Sequence, residues 1–308
     1  MSVFDISLRC RHQDGGITAS RVRRRTPWSG WMCIRAGRRE MVSMTAEVTE
    51  TKKVTAFVGS GRRKHTDDSV REFLDRLEAL GGVETELVRL FDCRLEICRG
   101  CQLCFDKGEE SCPLKDDRDV LIGKMVASDG VVFASPNYSF QVSGLMKVFL
   151  DRLGFVFHRP RFHGKAFTSI VVQGIYGGGR IVKYLDWVGR GLGFDVVKGS
   201  CSNSSEALPE RERRKRDRAI AKHANRFHEV LHKRADSVPG LVDLAFFRLA
   251  RARVSAQLDE SDRDYRYYQE KGWFVSDYFY STRLGWVKRV AGSVFDALFR
   301  RMSKTRVA

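Results

Sequence analysis

The stretch KVTAFVGSGRRKHTDDSVREFLDRLEALGG, residues 53–82, contains the first repeating unit of the fold. It begins with a short apolar run that ends at Gly59, as a buried strand does. Residues 68–82 then place apolar side chains at helical spacing and end in two glycines, which stop a helix. The next segment, TELVRL at 85–90, is strand-like again. This order of elements predicts one βαβ unit.

The same alternation continues downstream. Three more apolar runs predict strands at 130–138, 165–174 and 194–200. Helical patterns follow them at 141–154, at 179–193 and after Pro209. Five continuous apolar strands separated by helices predict an α/β fold, with a doubly wound five-stranded parallel sheet covered on both faces. Ligands of such sheets bind at the carboxyl ends of the strands.

The pattern divides the chain into three predicted regions. Residues 1–50 show neither helical nor strand periodicity, which predicts a disordered N-terminal extension. Residues 51–235 carry the α/β pattern and a cysteine-rich loop at 93–115. Residues 236–308 lose the strand pattern and predict a helical C-terminal extension. For the first 43 residues, a mis-set translation start and an Arg-rich targeting peptide are both open interpretations.

The composition is that of a globular protein, with 43% apolar and 30% charged residues. No run approaches eighteen apolar residues, so we expect no transmembrane helix. No secretory signal opens the chain, which favours a cytoplasmic location. In that setting eight cysteines indicate metal binding or redox chemistry rather than a disulfide framework.

The net charge of +17 is concentrated in two segments, with +6 in residues 1–43 and +7 in residues 211–234. Such charge can attract nucleic acid or an anionic membrane. The second segment also has one apolar side, so we interpret it as the solvated face of a helix and do not expect nucleic-acid binding. Basic residues also surround an apolar stripe in residues 285–304, which predicts contact with another subunit of a homo-oligomer or peripheral contact with a membrane.

A polar turn joins the first strand to the first helix and has the features of a phosphate site. Its glycines let backbone N–H groups approach an anion, and the helix that follows presents its positive end. Ser60 and Thr66 offer hydroxyls, and Arg62 offers a fork of donors. Asp67 and Asp68 compete with a phosphate for the helix dipole. The turn lacks the spacing of the ATP-binding P-loop and of the dinucleotide-binding GxGxxG motif.

Two later loops would lie at the same edge of the sheet. Pro136, Asn137 and Tyr138 stand at the end of the third strand, while Gly174 and the run Gly177, Gly178 and Gly179 stand at the end of the fourth. Together with the polar turn they would form a mouth with an aromatic wall and exposed backbone amides. A flat heteroaromatic ring with a phosphate tail fits such a mouth.

On these residues the chain resembles the flavodoxin-like NADPH-dependent FMN reductases. The resemblance covers residues 53 to about 200 and includes a Gly-Ser-x-Arg turn, a Ser-Pro-x-Tyr loop and a helix ending Lys-x-x-x-Asp-Arg. It implies that Ser60, Arg62 and Thr66 hold the phosphate of FMN. It also implies that residues 136–138 line the isoalloxazine ring and that Gly174 and residues 177–179 close over it. The segment 64–68 departs from the Gly-Asn-Thr or Gly-Asn-Ser of relatives.

Within the cysteine-rich loop, residues 98–112 have the sequence CRGCQLCFDKGEESC, with the spacing C-x2-C-x2-C followed by a fourth cysteine. Three thiolates at every third position can converge on one metal centre, which the fourth completes. An unbroken triplet suits an iron–sulfur cubane better than zinc, whose sites are usually built from two separated pairs. A zinc site and a metal-free loop remain alternatives. Cys93 would also allow the C-x4-C-x2-C spacing of a [2Fe-2S] site.

The loop resembles that of the iron–sulfur flavoproteins within the same family, including the Lys-Asp-Asp that follows it. The resemblance implies a [4Fe-4S] cluster that exchanges electrons with FMN, often with the FMN of a neighbouring subunit. It assigns the cluster ligands to Cys98, Cys101, Cys104 and Cys112.

We therefore hypothesise an FMN-dependent NAD(P)H oxidoreductase that passes electrons between a two-electron donor, FMN and a [4Fe-4S] cluster. The acceptor would be a redox partner protein or a small molecule. One alternative is a plain FMN or quinone reductase without a cluster, and another is a non-catalytic carrier that docks a partner protein. A nucleic-acid binder with a zinc loop is a third, which predicts salt-sensitive binding to DNA. No set of catalytic side chains is visible in the sequence.

Overall fold

The structure is a computed structural model that describes residues 51–204, 209–233 and 238–304. The predicted disorder of residues 1–50 lies outside the described residues.

The strands are β1 (Lys52–Val58), β2 (Val83–Arg89), β3 (Gly130–Pro136), β4 (Ala166–Gln173), β5 (Asp195–Val196) and β6 (Ser200–Asn203). The helices of the α/β part are α1 (His65–Ala79), α2 (Leu103–Asp106), α3 (Arg118–Ala127), α4 (Gly144–Arg152), α5 (Gly154–His158), α6 (Gly178–Leu192) and α7 (Glu210–Leu231). Those of the C-terminal part are α8 (Leu241–Gln257), α9 (Arg263–Glu270) and α10 (Trp286–Lys304).

The strands form one parallel sheet in the order β2-β1-β3-β4-β5, and β6 also pairs with β4. This is the flavodoxin-like order, so the predicted five-stranded doubly wound sheet is confirmed. The fifth position is divided between β5 and β6, and Gly199 between them comes very close to β4. A Cβ atom at Gly199 would lie 2.0 Å from the Ser169 hydroxyl. The strand order reverses between β1 and β3, which is where such sheets bind ligands.

Both faces of the sheet are buried, as continuous apolar strands require. On one face, Phe57 and Phe133 pack against α4 and α6. On the other face, Val58 and Val132 pack under α1 and α7. Phe227 of α7 is fully buried there, whereas the arginines near the start of α7 are exposed. The interpretation of the basic segment 211–234 as the solvated face of a helix is therefore confirmed for the part that the structure describes, up to residue 233.

The C-terminal part has its own apolar cluster, built on Phe247, Tyr268 and Trp273. It is joined to the α/β part through the fully buried Arg159, which contacts Asp264 of α9. The predicted helical extension is confirmed. The proposed boundary after residue 235 falls between described segments and stays a prediction. Among the described residues, no helix is both long and apolar enough to span a bilayer.

Candidate functional site

The turn after β1 is held rigidly against the third strand and the fourth helix. The N–H of Gly59 donates to the carbonyl of Ala134 at 2.8 Å, and the hydroxyl of Ser143 donates to the carbonyl of Gly59. A side chain at Gly59 would place its Cβ atom 2.8 Å from that of Met146. Only glycine lets β1 and α4 approach this closely. The hydroxyl of Ser60 then bridges the turn by donating to the carbonyl of Arg62 at 2.9 Å.

The first helix begins at His65, three residues earlier than the sequence pattern indicates, and its beginning is open to a ligand. Its N-cap residue, Lys64, makes no side-chain capping bond, so the first N–H groups face the turn. Asp67 lies within the first turn but is buried, and it accepts a hydrogen bond from the guanidinium of Arg89 at 2.8 Å. Arg89 offsets the charge that would repel a phosphate, while Asp68 is exposed. The expected competition from these acids is therefore reduced.

A cavity of about 400 Å³ joins this turn to the loops after β3 and β4, and we call it the flavin cavity. Seven residues predicted from the sequence line it: Ser60, Arg62, Thr66, Pro136, Asn137, Tyr138 and Gly174. The expected mouth at the carboxyl edge of the sheet is thus a single space built from three separate loops. Its volume is in the range of ordinary small-molecule sites.

The three consecutive glycines do not line this cavity and act one layer behind it. Gly177 has a positive φ of 95° and lies against the ring of Phe140. The N–H of Gly178 donates to the side-chain oxygen of Gln173 at 2.6 Å, which ties the start of α6 to the end of β4. These glycines shape the loop, and their predicted direct contact with FMN stays a prediction.

Asn137 supplies one observation that bears on whether a ligand fits the flavin cavity. Its Nδ2 donates to the carbonyl of Tyr176 at 2.9 Å, which links the loops after β3 and β4. Its Oδ1 is buried and has no partner among the residues that the structure describes. A bound molecule with an N–H group would satisfy this acceptor. The turn after β1 and the beginning of α1 fit the phosphate of FMN, and the Asn137 amide fits an N–H group of its ring.

Sequence reasoning missed some residues that line the flavin cavity. Lys64 and His65 lie in the segment that departs from the family pattern, so no motif indicated them. Gln173 is the last residue of β4 and Ser204 directly follows β6, and a finer prediction of strand ends would have included them.

The cysteine loop forms a second cavity, of about 210 Å³, which we call the cysteine cavity. All four predicted ligands line it: Cys98, Cys101, Cys104 and Cys112. Gly100 and Gln102 have positive φ angles of 65° and 61°, and these turns on either side of Cys101 coil the loop around the cavity. Cys93 is absent from the lining, and its thiol donates to the carbonyl of Arg89 at 3.4 Å. The geometry favours the four predicted cysteines over the set that includes Cys93.

The electrostatics of the cysteine cavity suit thiolates. Arg152 is buried, donates to the sulfur of Cys112 at 3.2 Å and also pairs with Asp116 at 2.8 Å. Burial by itself raises the pKa of the Cys112 thiol. The hydrogen bonds from Arg152 and the backbone of Leu114, with the charges of Arg152 and Arg118, outweigh burial and lower this pKa. The pKa of Cys104 is raised, mainly because burial disfavours its charged form.

The four thiols surround a space and do not meet at a point. Within the described segments, no group of three or more His, Cys, Asp or Glu side chains lies close enough together to hold one metal ion. A four-iron core binds one thiolate at each iron, so its ligands stand farther apart than those around a single ion. The donor set of four sulfurs around a cavity, backed by buried arginines, fits such a core.

The fold and these two cavities define an α/β protein with one cavity at its strand ends and another within the cysteine loop. The family model of NADPH-dependent FMN reductases matches residues 52–208. An iron–sulfur flavoprotein of Archaeoglobus fulgidus is 33% identical over 162 residues, and the match covers 48% of this chain and 70% of that protein. One of Methanocaldococcus jannaschii is 40% identical over 101 residues, which are 32% of this chain and 51% of that protein. The solved structure of RosB with bound 8-demethyl-8-formylriboflavin-5'-phosphate is 15% identical with a TM-score of 0.47, and the match covers 76% of this chain and 92% of that one.

The chain belongs to the NADPH-dependent FMN reductase family and, within it, to the iron–sulfur flavoproteins. Membership confirms the predicted class of enzyme, an NAD(P)H-dependent FMN oxidoreductase. The match to the family model ends at residue 208, so α7 and the C-terminal helices lie beyond it.

Proposed function

We propose that this protein takes an electron pair from a reduced nicotinamide, binds FMN in the flavin cavity and delivers electrons to a [4Fe-4S] cluster in the cysteine cavity. The observation that carries the proposal is the flavin cavity, where three loops distant in sequence bring seven predicted residues together. When bound, FMN supplies the conversion between two-electron and one-electron chemistry.

The residues of the flavin cavity have distinct roles in this proposal. Arg62 and the open N-terminus of α1 bind the phosphate, since both direct donors and positive charge toward it. Pro136 and Tyr138 form the wall against which the ring lies, and Asn137 accepts from its edge. The buried pair of Asp67 and Arg89 keeps the beginning of α1 in place beneath the phosphate.

In the cysteine cavity the four thiolates would hold the cluster, and Arg152 and Arg118 would balance its negative charge. Arg152 is already fixed by Asp116, so little ordering is needed when the cluster assembles. Both arginines are themselves buried, so this arrangement would keep two guanidinium groups next to the cluster.

Helix α4 connects the two cavities within one chain. Ser143, its N-cap, is bonded to Gly59 in the turn after β1, and Arg152 at its end lines the cysteine cavity. Nine residues of helix span about 14 Å at 1.5 Å per residue. A single rigid element therefore sets the separation of the two proposed centres.

Anaerobic reduction by NADPH or NADH tests this function. We expect the flavin absorbance to bleach and the paramagnetic signal of a reduced cluster to appear. Cys101→Ser should retain flavin bleaching and lose both iron and the signal. Cys201→Ser is the matched control, because Cys201 is also exposed but lies outside the cysteine cavity, and it should retain both.

Two results would contradict the proposal. Failure of both nicotinamides to reduce the bound flavin would contradict a nicotinamide as the donor and favour a carrier that receives electrons from a partner protein. Reducible flavin in a protein without iron would leave a plain FMN or quinone reductase.

We also propose that the chain forms a homo-oligomer in the cytoplasm. Support comes from α10, whose apolar stripe is exposed, with Trp286 at 74% and Val290 and Val294 at 58% each. A second copy of the chain would cover this stripe. Light scattering of the purified protein should give a multiple of the chain mass of 35.2 kDa, whereas a monomer would contradict this part of the proposal and favour the predicted membrane contact.

A further inference from the structure

A third cavity, of about 630 Å³, lies between the cysteine loop and the C-terminal helices, and we call it the α8 cavity. One side comes from α2 and α5 and the other from α8 and α9. Its apolar lining is Phe105, Phe157, Phe246, Leu249, Val254 and Tyr268. Most of its lining residues lie beyond residue 208, where the match to the family model ends.

A histidine and a carboxylate form a fixed pair in the wall of this cavity. Nδ1 of His158 lies 2.7 Å from Oδ2 of Asp264. Asp264 is buried, and its other oxygen accepts from the fully buried Arg159. Arg159 donates in turn to the carbonyl of Cys104 at 2.7 Å. The orientation of the His158 imidazole is therefore fixed by Asp264 of α9, which is itself held by Arg159 and, through it, by the cysteine loop.

The carboxylate holds the proton of His158 on Nδ1 and leaves Nε2 for another molecule. The His158 side chain is 53% exposed, and in the described part of the chain Nε2 makes no hydrogen bond. The ring of Phe105 packs against the imidazole, with 4.3 Å between the ring centres. The His158–Asp264 pair thus presents a single polar atom, Nε2, in a fixed direction beside the ring of Phe105.

The charges at the cavity select against a strongly ionic ligand. Asp106 and Asp262 line it with Arg253, and Asp264 is neutralised by Arg159. Because both signs are present, neither an anion nor a cation gains much from entering. A neutral ring with one polar substituent matches both the apolar walls and the single open nitrogen.

We propose that the α8 cavity binds a planar aromatic molecule that carries a hydroxyl group, with that hydroxyl donating a hydrogen bond to Nε2 of His158. Gln102 and Phe105 line both this cavity and the cysteine cavity. A ring bound here is therefore one layer of side chains from the thiols. Binding itself does not rest on the proposed function, whereas a role as an electron acceptor would.

Calorimetric titration of the full chain with 1-naphthol and with naphthalene tests the site. The hydroxyl of 1-naphthol can donate to Nε2, and naphthalene cannot. We expect 1-naphthol to bind about fivefold more tightly, the value of one neutral hydrogen bond. His158→Phe should abolish this preference and retain binding of both rings, since the side chain is half exposed and its loss does not threaten the fold.

A pair of substitutions on α8 locates the binding. Leu249→Trp adds a ring to the lining of the cavity and should weaken both probes at least tenfold. Ala256→Trp adds the same ring on the same helix at an exposed position outside the lining and should leave both affinities unchanged.

Equal affinities for the two probes in the natural protein, or unchanged binding in Leu249→Trp, would overturn the proposal. No binding of either probe at millimolar concentration would also overturn it and would mean that another protein surface fills the cavity. Arg62→Ala should weaken FMN without changing naphthol binding, so failure of this site and failure of the flavin site are separable.

Discussion

Arg62 and Arg63 are neighbours with different surroundings in the turn after β1. Arg62 lines the flavin cavity, whereas Arg63 points to solvent, with its side chain 75% exposed and Asp92 3.9 Å away. The two positions therefore separate a directed contact with a phosphate from a general effect of positive charge.

Arg62→Ala should weaken FMN binding about 10- to 100-fold, because charge-assisted hydrogen bonds contribute about 1.5–3 kcal/mol. Quenching of FMN fluorescence by the flavin-free protein measures the affinity. Arg63→Ala is the control and should change it less than threefold. Equal losses in the two variants would mean that the phosphate lies elsewhere.

Single residues also show where the sequence was informative. The turn residues and the four cysteines were found because each belongs to a local motif whose spacing is visible in the chain. The sequence alone indicates Asp67 as a competitor for the phosphate, because no local pattern shows that it pairs with Arg89, which lies 22 positions away on another element. His158 and Asp264 are 106 positions apart, and no periodic pattern connects them.

Helix α7 is fixed to strand β4 through a buried histidine. Nε2 of His223 lies 2.7 Å from the Thr168 hydroxyl, which itself donates to the carbonyl of Val197. The hydroxyl has one hydrogen, so Nε2 carries the proton and donates. Nδ1 is buried with no partner in the described segments. Protonation of Nδ1 would bury a charge, and burial lowers the pKa of His223 to about 4.

This contact predicts a loss of stability in acid. Between pH 6.5 and pH 4 the unfolded chain binds a proton at residue 223 and the folded chain does not, so the free energy of unfolding falls as the pH falls. From pH 7 to pH 5 the loss is about 2 kcal/mol for His223. The pKa of His163 is also lowered to about 4, by burial, and it adds a similar loss.

Urea unfolding at pH 7 and pH 5 measures this dependence. His223→Gln keeps a donor to Thr168 and removes the titrating group at this position. It should therefore abolish about half of the decrease in the free energy of unfolding that His223 and His163 together cause between pH 7 and pH 5. An unchanged pH dependence in this variant would show that His223 titrates normally in the folded protein.

Most elements were predictable because their periodicity is strong. The sheet, helices α1, α4, α6 and α7 and the helical C-terminal extension follow from apolar spacing, whereas α3 was not predicted. The break between β5 and β6 is not visible in the single apolar run at 194–200. The apolar pattern places the start of α1 at residue 68, three residues late, because the polar residues 65–67 carry no apolar pattern.

The α/β part and the C-terminal helices are held together by a network of buried charges. Arg159 is fully buried and bonds to Asp264, Glu109 and the carbonyl of Cys104. Arg161 bonds to the same Glu109 at 2.8 Å, but its side chain is 21% exposed. The network connects the cysteine loop to helix α9.

Arg159→Met should lower the free energy of unfolding by about 3–5 kcal/mol, because the buried Asp264 carboxylate loses its guanidinium partner and keeps only His158. Arg161→Met should cost about 1 kcal/mol or less, as expected for a partly exposed pair. Chemical denaturation compares the two. Similar costs would indicate that the C-terminal helices do not depend on this contact.

The central claim is that one chain holds FMN at the strand ends and an iron–sulfur cluster in the cysteine loop. Flavin, iron and zinc content of the anaerobically purified protein, with its visible absorption spectrum, tests the claim most directly. The account predicts a yellow-brown protein with one FMN and about four irons per chain. A chain that carries zinc in place of iron, or one that binds no flavin, would contradict it.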